Sequence, residues 1–164
     1  MIHKLIAFFV VVVIALGSWL AYYYSDTKVI TRQLDGLAVE LGKEGQETAL
    51  QTALKIREIT KMLPDSCLVR IPERGYEELL EQDLMIRYLI YQRNRYDVIT
   101  VAFEDLLIDI PASGEAVVQG MVRLTRKAHI AEPVEVLSPV ELVLEKGDEK
   151  WLFQKAVLSE DLIE

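Results

Sequence analysis

Thiols and imidazoles are nearly absent from this chain: one cysteine, Cys67, and two histidines, His3 and His129, in 164 residues. A lone cysteine excludes an internal disulfide, and so few Cys and His side chains leave nothing to build a zinc centre from. No glycine-rich loop of the kind that cradles phosphate occurs, and no activated-nucleophile motif. Positive charge is also short, with 18 Lys plus Arg against 26 Asp plus Glu and a net charge of -8. Lys4 is the only Lys or Arg before Tyr24, so the remainder is more acidic still. Without a basic cluster the chain has no stripe for nucleic acid, and its charge holds it off an anionic lipid surface. No metal and no cofactor is expected. Cys67, between Ser66 and Leu68, reads as a small buried strand residue rather than a reactive thiol.

Leu5 to Tyr24, LIAFFVVVVIALGSWLAYYY, has no charge at all. Twenty residues at about 1.5 Å each span roughly 30 Å as a helix, the thickness of a bilayer's hydrocarbon core. Leu5, Phe8, Val12 and Leu16 supply the apolar body, and Trp19 with Tyr22, Tyr23 and Tyr24 supplies an aromatic belt at the far interface. Ala15-Leu16-Gly17 resembles a signal-peptide cleavage site, but apolar residues continue through Trp19, Leu20 and Ala21, longer than a typical signal core. The segment is therefore expected to be an uncleaved anchor over residues 1–26, holding the protein in the bilayer through residues 5–24. A tail with Lys4 as its only basic side chain is easily left in the cytoplasm. The expected location is the inner membrane, single-pass, with the following domain periplasmic or otherwise extracytoplasmic.

Residues 27–164 have the length of one domain, about 140 residues. Val29, Ile30, Leu34, Leu37, Ala38 and Leu41 recur at helical spacing and predict a helix over Thr27 to Leu41. Gly42-Lys43-Glu44-Gly45 reads as a turn. A second helix is expected from Gln46 to Leu63, stopped by Pro64-Asp65. A short strand covers Cys67 to Ile71, and Pro72 ends it. Glu73 to Tyr96 reads as a third helix, with a break near Glu81-Gln82-Asp83 and Asp83 as a cap for its second part. The period then changes to two. Four strands are expected, at Asp97 to Ile110, Glu115 to Lys127, Val134 to Lys146 and Lys150 to Leu158, with a bulge near Glu104-Asp105 where the alternation shifts to Leu107. Short connections make these an antiparallel meander, and helices followed by a sheet predict an α+β fold.

This order, with Gly75-Tyr76-Glu77-Glu78-Leu79 opening the third helix, the hairpin VAFEDLLIDIPASGEAVVQGMVRLT and Trp151 early in the last strand, resembles the nuclear transport factor 2-like superfamily, the cystatin-like α+β roll. The resemblance covers roughly Thr31 to Ser159 and implies a cone-shaped fold whose curved sheet wraps the helices. It implies little about activity, because the superfamily mixes isomerases, dehydratases and hydrolases with binding domains. Its enzymes hold a carboxylate or a His inside the cone, tuned by apolar walls. Here the face of Val134 to Leu144 that would turn inward shows only Ser138 among aliphatics. The apolar face of Glu115 to Lys127 carries no acid or His. Asp105, Asp109 and Tyr91 are the candidates for polar pocket lining, although a bulge residue and a solvent-facing alternation partner account equally for the two acids. Tyr76, Tyr88 and Arg87 could also line a pocket, but aromatics at helical spacing are more often core and are read so here. His129, beside Arg126 and Lys127, reads as surface. Two functions are left open. One is a membrane-tethered, non-enzymatic module that binds a protein partner or self-associates in the cell envelope, as in inner-membrane scaffold components of type IV secretion systems, which have one anchor and the same roll. The other is a small-ligand binder or isomerase/dehydratase-type enzyme using the cone as pocket.

Overall fold

The computed structural model describes residues 10–18 and 25–163. The chain forms two compact units, Met1–Arg32 and Gln33–Glu164. In the first unit, residues 10–18 are helical and expose Val11, Ile14 and Leu16. Val12 and Leu16 of the expected anchor fall in this stretch, whereas Leu5, Phe8, Trp19 and Tyr22 lie outside the described residues. Among the described residues no helix is long and apolar enough to cross a membrane.

Helix α1, Asp26–Leu41, ends where its apolar rows end, and Leu34 and Leu37 on those rows are buried. Helix α2 is shorter than its apolar pattern, Ala49–Thr60, because a capping box fixes its start. Gln51 N–H donates to the Thr48 hydroxyl at 3.2 Å, and Thr48 N–H donates to Gln51 Oε1 at 2.9 Å, which satisfies two donors a helix start leaves open. The expected turn at Lys43–Glu44 is a two-residue strand, β1, paired with Ile99 and Val98.

Residues 75–81 are not helical, contrary to expectation. Strand β2, Ser66–Ile71, passes through a short 3-10 turn at Pro72–Arg74 into strand β3, Tyr76–Glu81. Gly75 turns the chain with a φ of 60°, a left-handed conformation that favours glycine. The two strands then pair antiparallel along their whole length, Ile71 with Tyr76 and Ser66 with Glu81. Tyr76, Leu79 and Leu80 fit a helical spacing as well as a strand, and the hairpin partner decides between them. Helix α3, Gln82–Arg95, starts only after it, and Asp83 lies inside its first turn rather than capping it.

Strands β4 (Val98–Ala112), β5 (Glu115–Lys127), β6 (Val134–Lys146) and β7 (Trp151–Leu158) form the expected meander. They belong to one seven-stranded sheet of order β1-β4-β5-β6-β7-β2-β3, in which β2 joins β7 in parallel. A bulge interrupts β4 between Glu104 and Leu107, and Asp105 takes a φ of 52° there. Before it Ile99, Val101 and Phe103 face inward; after it the less exposed set is Leu106, Ile108 and Ile110, and Leu107 is 67% exposed. The alternation therefore shifts to Leu106, not Leu107, and Asp105 and Asp109 fall on the outside.

Gly120 on β5 lies against this bulge. A Cβ there would stand 2.8 Å from Leu106 Cδ2 and 2.9 Å from the Glu104 carbonyl oxygen. Gly120→Ala is expected to lower the unfolding free energy by about 1–3 kcal/mol, the usual range for overpacking a filled site. Urea denaturation measures it, and an unchanged midpoint would mean that the bulge yields freely.

Candidate functional site

Between the inner face of the sheet and the helices of the second unit lies a cavity of about 830 Å³. Each wall follows from a local periodicity. Strand period two turns Val122 and Leu124 of β5, Val140 and Leu142 of β6, and Cys67 and Val69 of β2 to the same side. Helix α3 offers Met85, Tyr88, Leu89 and Gln92 at three- and four-residue spacing, with Tyr96 just beyond its end. Leu37 and Leu41 of α1 and Ile59 of α2 complete the lining. The wall is almost wholly aliphatic and aromatic, and no Asp, Glu or His belongs to it among the described residues.

Its polar groups are few: the arginines Arg74, Arg93 and Arg126, with Gln92 and tyrosine hydroxyls. Tyr88 accepts a hydrogen bond from Gln92 Nε2 at 2.7 Å, and Gln92 Oε1 is buried without a partner. Arg93, 3% exposed, is held by structure rather than offered to a ligand. It donates to the carbonyls of Glu40, Leu41 and Gly42 at 2.8–3.1 Å and to the Glu47 carboxylate. Lys55 also pairs with Glu47, at 3.0 Å, and donates to the Gly42 carbonyl at 2.8 Å. Burial pushes the Glu47 carboxyl up, but the hydrogen bonds from Arg93 and Lys55 outweigh it and hold it below the ordinary carboxylate value. This cluster caps the last carbonyls of α1 and fixes the end of α3, which is one wall of the cavity.

Arg126 is the second buried arginine, 9% exposed, and its surroundings differ. It closes the inward row of β5 that runs Ala116, Val118, Gly120, Val122, Leu124. Its guanidinium carbon stands 5.5 Å from the centroid of the Tyr96 ring, and that of Arg95 stands 5.6 Å from the same ring.

Of the residues singled out in the sequence, Tyr76, Tyr88 and Cys67 line the cavity. Tyr91 is 60% exposed, Asp105 and Asp109 are on the surface, and none of the three belongs to the lining. They are corrected for two reasons: the bulge rotates the acids outward, and Tyr91 lies off the stripe of α3 that runs from Met85 to Gln92. Arg87 is exposed too. Ser138 is buried, as its place on the inner face of β6 requires. His129 is exposed and pairs with Asp97 at 3.0 Å. Cys67 is buried in β2, and burial pushes its thiol up to about 11, which leaves it inert as a nucleophile. Sequence reasoning missed Arg126, although the alternation of Val118, Val122 and Leu124 extends to it directly.

A seven-stranded sheet curled over helices, with the cavity between, matches known structures. A candidate scytalone dehydratase from Novosphingobium aromaticivorans superposes with a TM-score of 0.66 at 15% identity, over 81% of this chain and 82% of that one. A protein from Kribbella flavida gives 0.67 at 10% identity, over 82% and 89%. A candidate dehydratase of the nuclear transport factor 2-like family from Streptomyces avermitilis gives 0.63 at 9% identity, over 82% and 95%. The fold is nuclear transport factor 2-like. At such identities the likeness carries architecture alone. No protein-family model and no curated protein matches the chain.

Proposed function

We propose that this nuclear transport factor 2-like domain is a binding protein for an apolar small molecule, held in the cavity without chemical change. The observation that carries this reading is the 830 Å³ space itself, walled by aliphatic and aromatic side chains. Ligand sites commonly enclose about 300–1,000 Å³. An apolar lining of this extent is unfavourable to leave against water and is the kind of surface that marks a binding site. Water is a poor filler, since apolar walls give it few hydrogen-bond partners. An apolar occupant removes the difficulty. Isomerase or dehydratase chemistry is the less favoured reading, because the described wall offers no carboxylate or imidazole, the commonest proton-transfer groups.

The placement proposed is the one the sequence suggests. The uncharged run 5–24 tethers the protein to a bilayer as a single span, the domain stands in the periplasm or outside the cytoplasm, and nucleic acid is not a partner. A tether keeps a binding domain where apolar compounds concentrate. Partnership with another envelope protein, or self-association, is compatible with this but has only the tether to motivate it.

The test uses the full chain in lipid discs and tritiated tetradecanol. Saturable binding at one per chain is expected, with a Kd in the micromolar range, about -8 kcal/mol. The reading fails if the Val122→Trp/Ala156→Trp variant, whose cavity is occupied, takes up as much of the alcohol as the wild type does.

A further inference from the structure

We infer that the occupant of this cavity carries an anionic head, a carboxylate or a phosphate monoester, received by Arg126 beside Tyr96; this rests on the binding function proposed above. The two buried arginines make the argument by contrast. Both terminal nitrogens of Arg93 are engaged, by three carbonyls and the Glu47 carboxylate, and only its Nε is buried without a partner. Arg126 is buried to a similar degree, yet among the described residues its guanidinium has only the face of Tyr96 for company, at 5.5 Å. Its nitrogens are accessible rather than sealed in the core, and a planar fork of N–H donors without a protein acceptor is suited to two oxygens of one acid group.

Its position fits that role. Arg126 and Tyr96 line the apolar cavity and also an adjoining hollow of about 520 Å³ with a mixed lining, so the cation stands where the two spaces meet. Arg95 adds a second positive charge 5.6 Å from the Tyr96 ring. The hollow also contains Glu132, Glu135 and Asp161. Glu135 is engaged by Arg123, and no carboxylate among the described residues forms an ion pair with Arg126. A chain that fills the apolar space and ends in a single acid group places apolar atoms against the aliphatic walls and its charge at Arg126.

The experiment compares four compounds with the same fourteen-carbon chain: tetradecanoate, tetradecyl phosphate, tetradecanol and tetradecyltrimethylammonium. Each is bound to the full chain in lipid discs, and uptake by the Val122→Trp/Ala156→Trp variant is subtracted. The wild type is expected to bind one or both anions about 10- to 100-fold more tightly than the alcohol, the range of a charge-assisted hydrogen-bonded pair, and the cation least. A preference for the carboxylate indicates a free fatty acid, and one for the phosphate a phosphorylated lipid; either supports the inference. In Arg126→Gln the ratio of anion to alcohol affinity is expected to fall to within about threefold. Equal binding of anion and alcohol by the wild type overturns the inference while the apolar cavity stands, and so does a preference that survives in Arg126→Gln. Should Arg126→Gln fail to fold, the four-compound series on the wild type decides alone. If none of the four binds above the filled variant, the binding function itself falls.

Discussion

Arg93→Met is expected to lower the unfolding free energy by about 3–5 kcal/mol, the cost of breaking a buried ion pair from one side. Arg93 joins three segments. Its guanidinium satisfies the last carbonyls of α1 at Glu40, Leu41 and Gly42, its carboxylate partner Glu47 precedes α2, and its own backbone carbonyl accepts from Lys43 Nζ at 2.6 Å. Methionine keeps much of the volume and removes every donor, so Glu47 is left with Lys55 and, at 3.5 Å, the Thr52 hydroxyl. Guanidinium-chloride denaturation of wild type and variant measures the loss; a change below about 1 kcal/mol would place Arg93 among surface ion pairs in its energetics. Acid gives an independent view of the same cluster. Because the folded state holds the Glu47 carboxyl below its ordinary value, its contribution is present in full above the ordinary carboxylate pKa, near 4.3. It disappears as pH falls through the lowered folded-state value, and Arg93→Met should shed part of that acid sensitivity.

Val122→Trp/Ala156→Trp should abolish tetradecanol binding while leaving the fold intact. Both positions face the cavity from the sheet side, on β5 and β7. Two indoles there occupy space that a bound chain would use. Displacing four methylenes costs about 3 kcal/mol, roughly 200-fold in affinity. Stability is expected to hold or rise, since the added side chains fill a void instead of pressing on packed neighbours. Titration with the labelled alcohol gives the first quantity and thermal unfolding followed by circular dichroism the second. A variant that binds as before would show that the alcohol sits elsewhere; a variant that unfolds readily would show that the space collapses around no ligand.

How much of this was legible in the residues varies by element. Val134 to Lys146 and Glu115 to Lys127 alternate so regularly that their strand bounds match the sequence pattern. The bulge at Glu104-Asp105 announced itself as a lapse in alternation, though not its direction. Residues 76–81 misled because Tyr76, Leu79 and Leu80 satisfy both periods, and only pairing with β2, a non-local contact, settles the matter. The inward faces were readable, but the distance between α3 and the sheet was not, since no local pattern encodes a gap between layers. Arg126 was readable from the same alternation, but a cation at the end of an apolar row carries none of the signature of a catalytic acid or imidazole.

The parallel pairing of β2 with β7, Leu68 beside Lys155 and Arg70 beside Val157, also bears on how the molecule comes together. β2 and β3 can close on each other as a local hairpin, but they have no place in the sheet until the last strand has arrived. Ribosomes add roughly 5–20 residues per second, so the apolar inner faces of β2, α2 and α3 wait several seconds for the sheet that covers them. Such late, non-local closure is slow by topology. The walls that later receive a ligand are thus the surfaces most exposed to wrong partners during synthesis, and a chaperone or an early-bound amphiphile would act on the same residues.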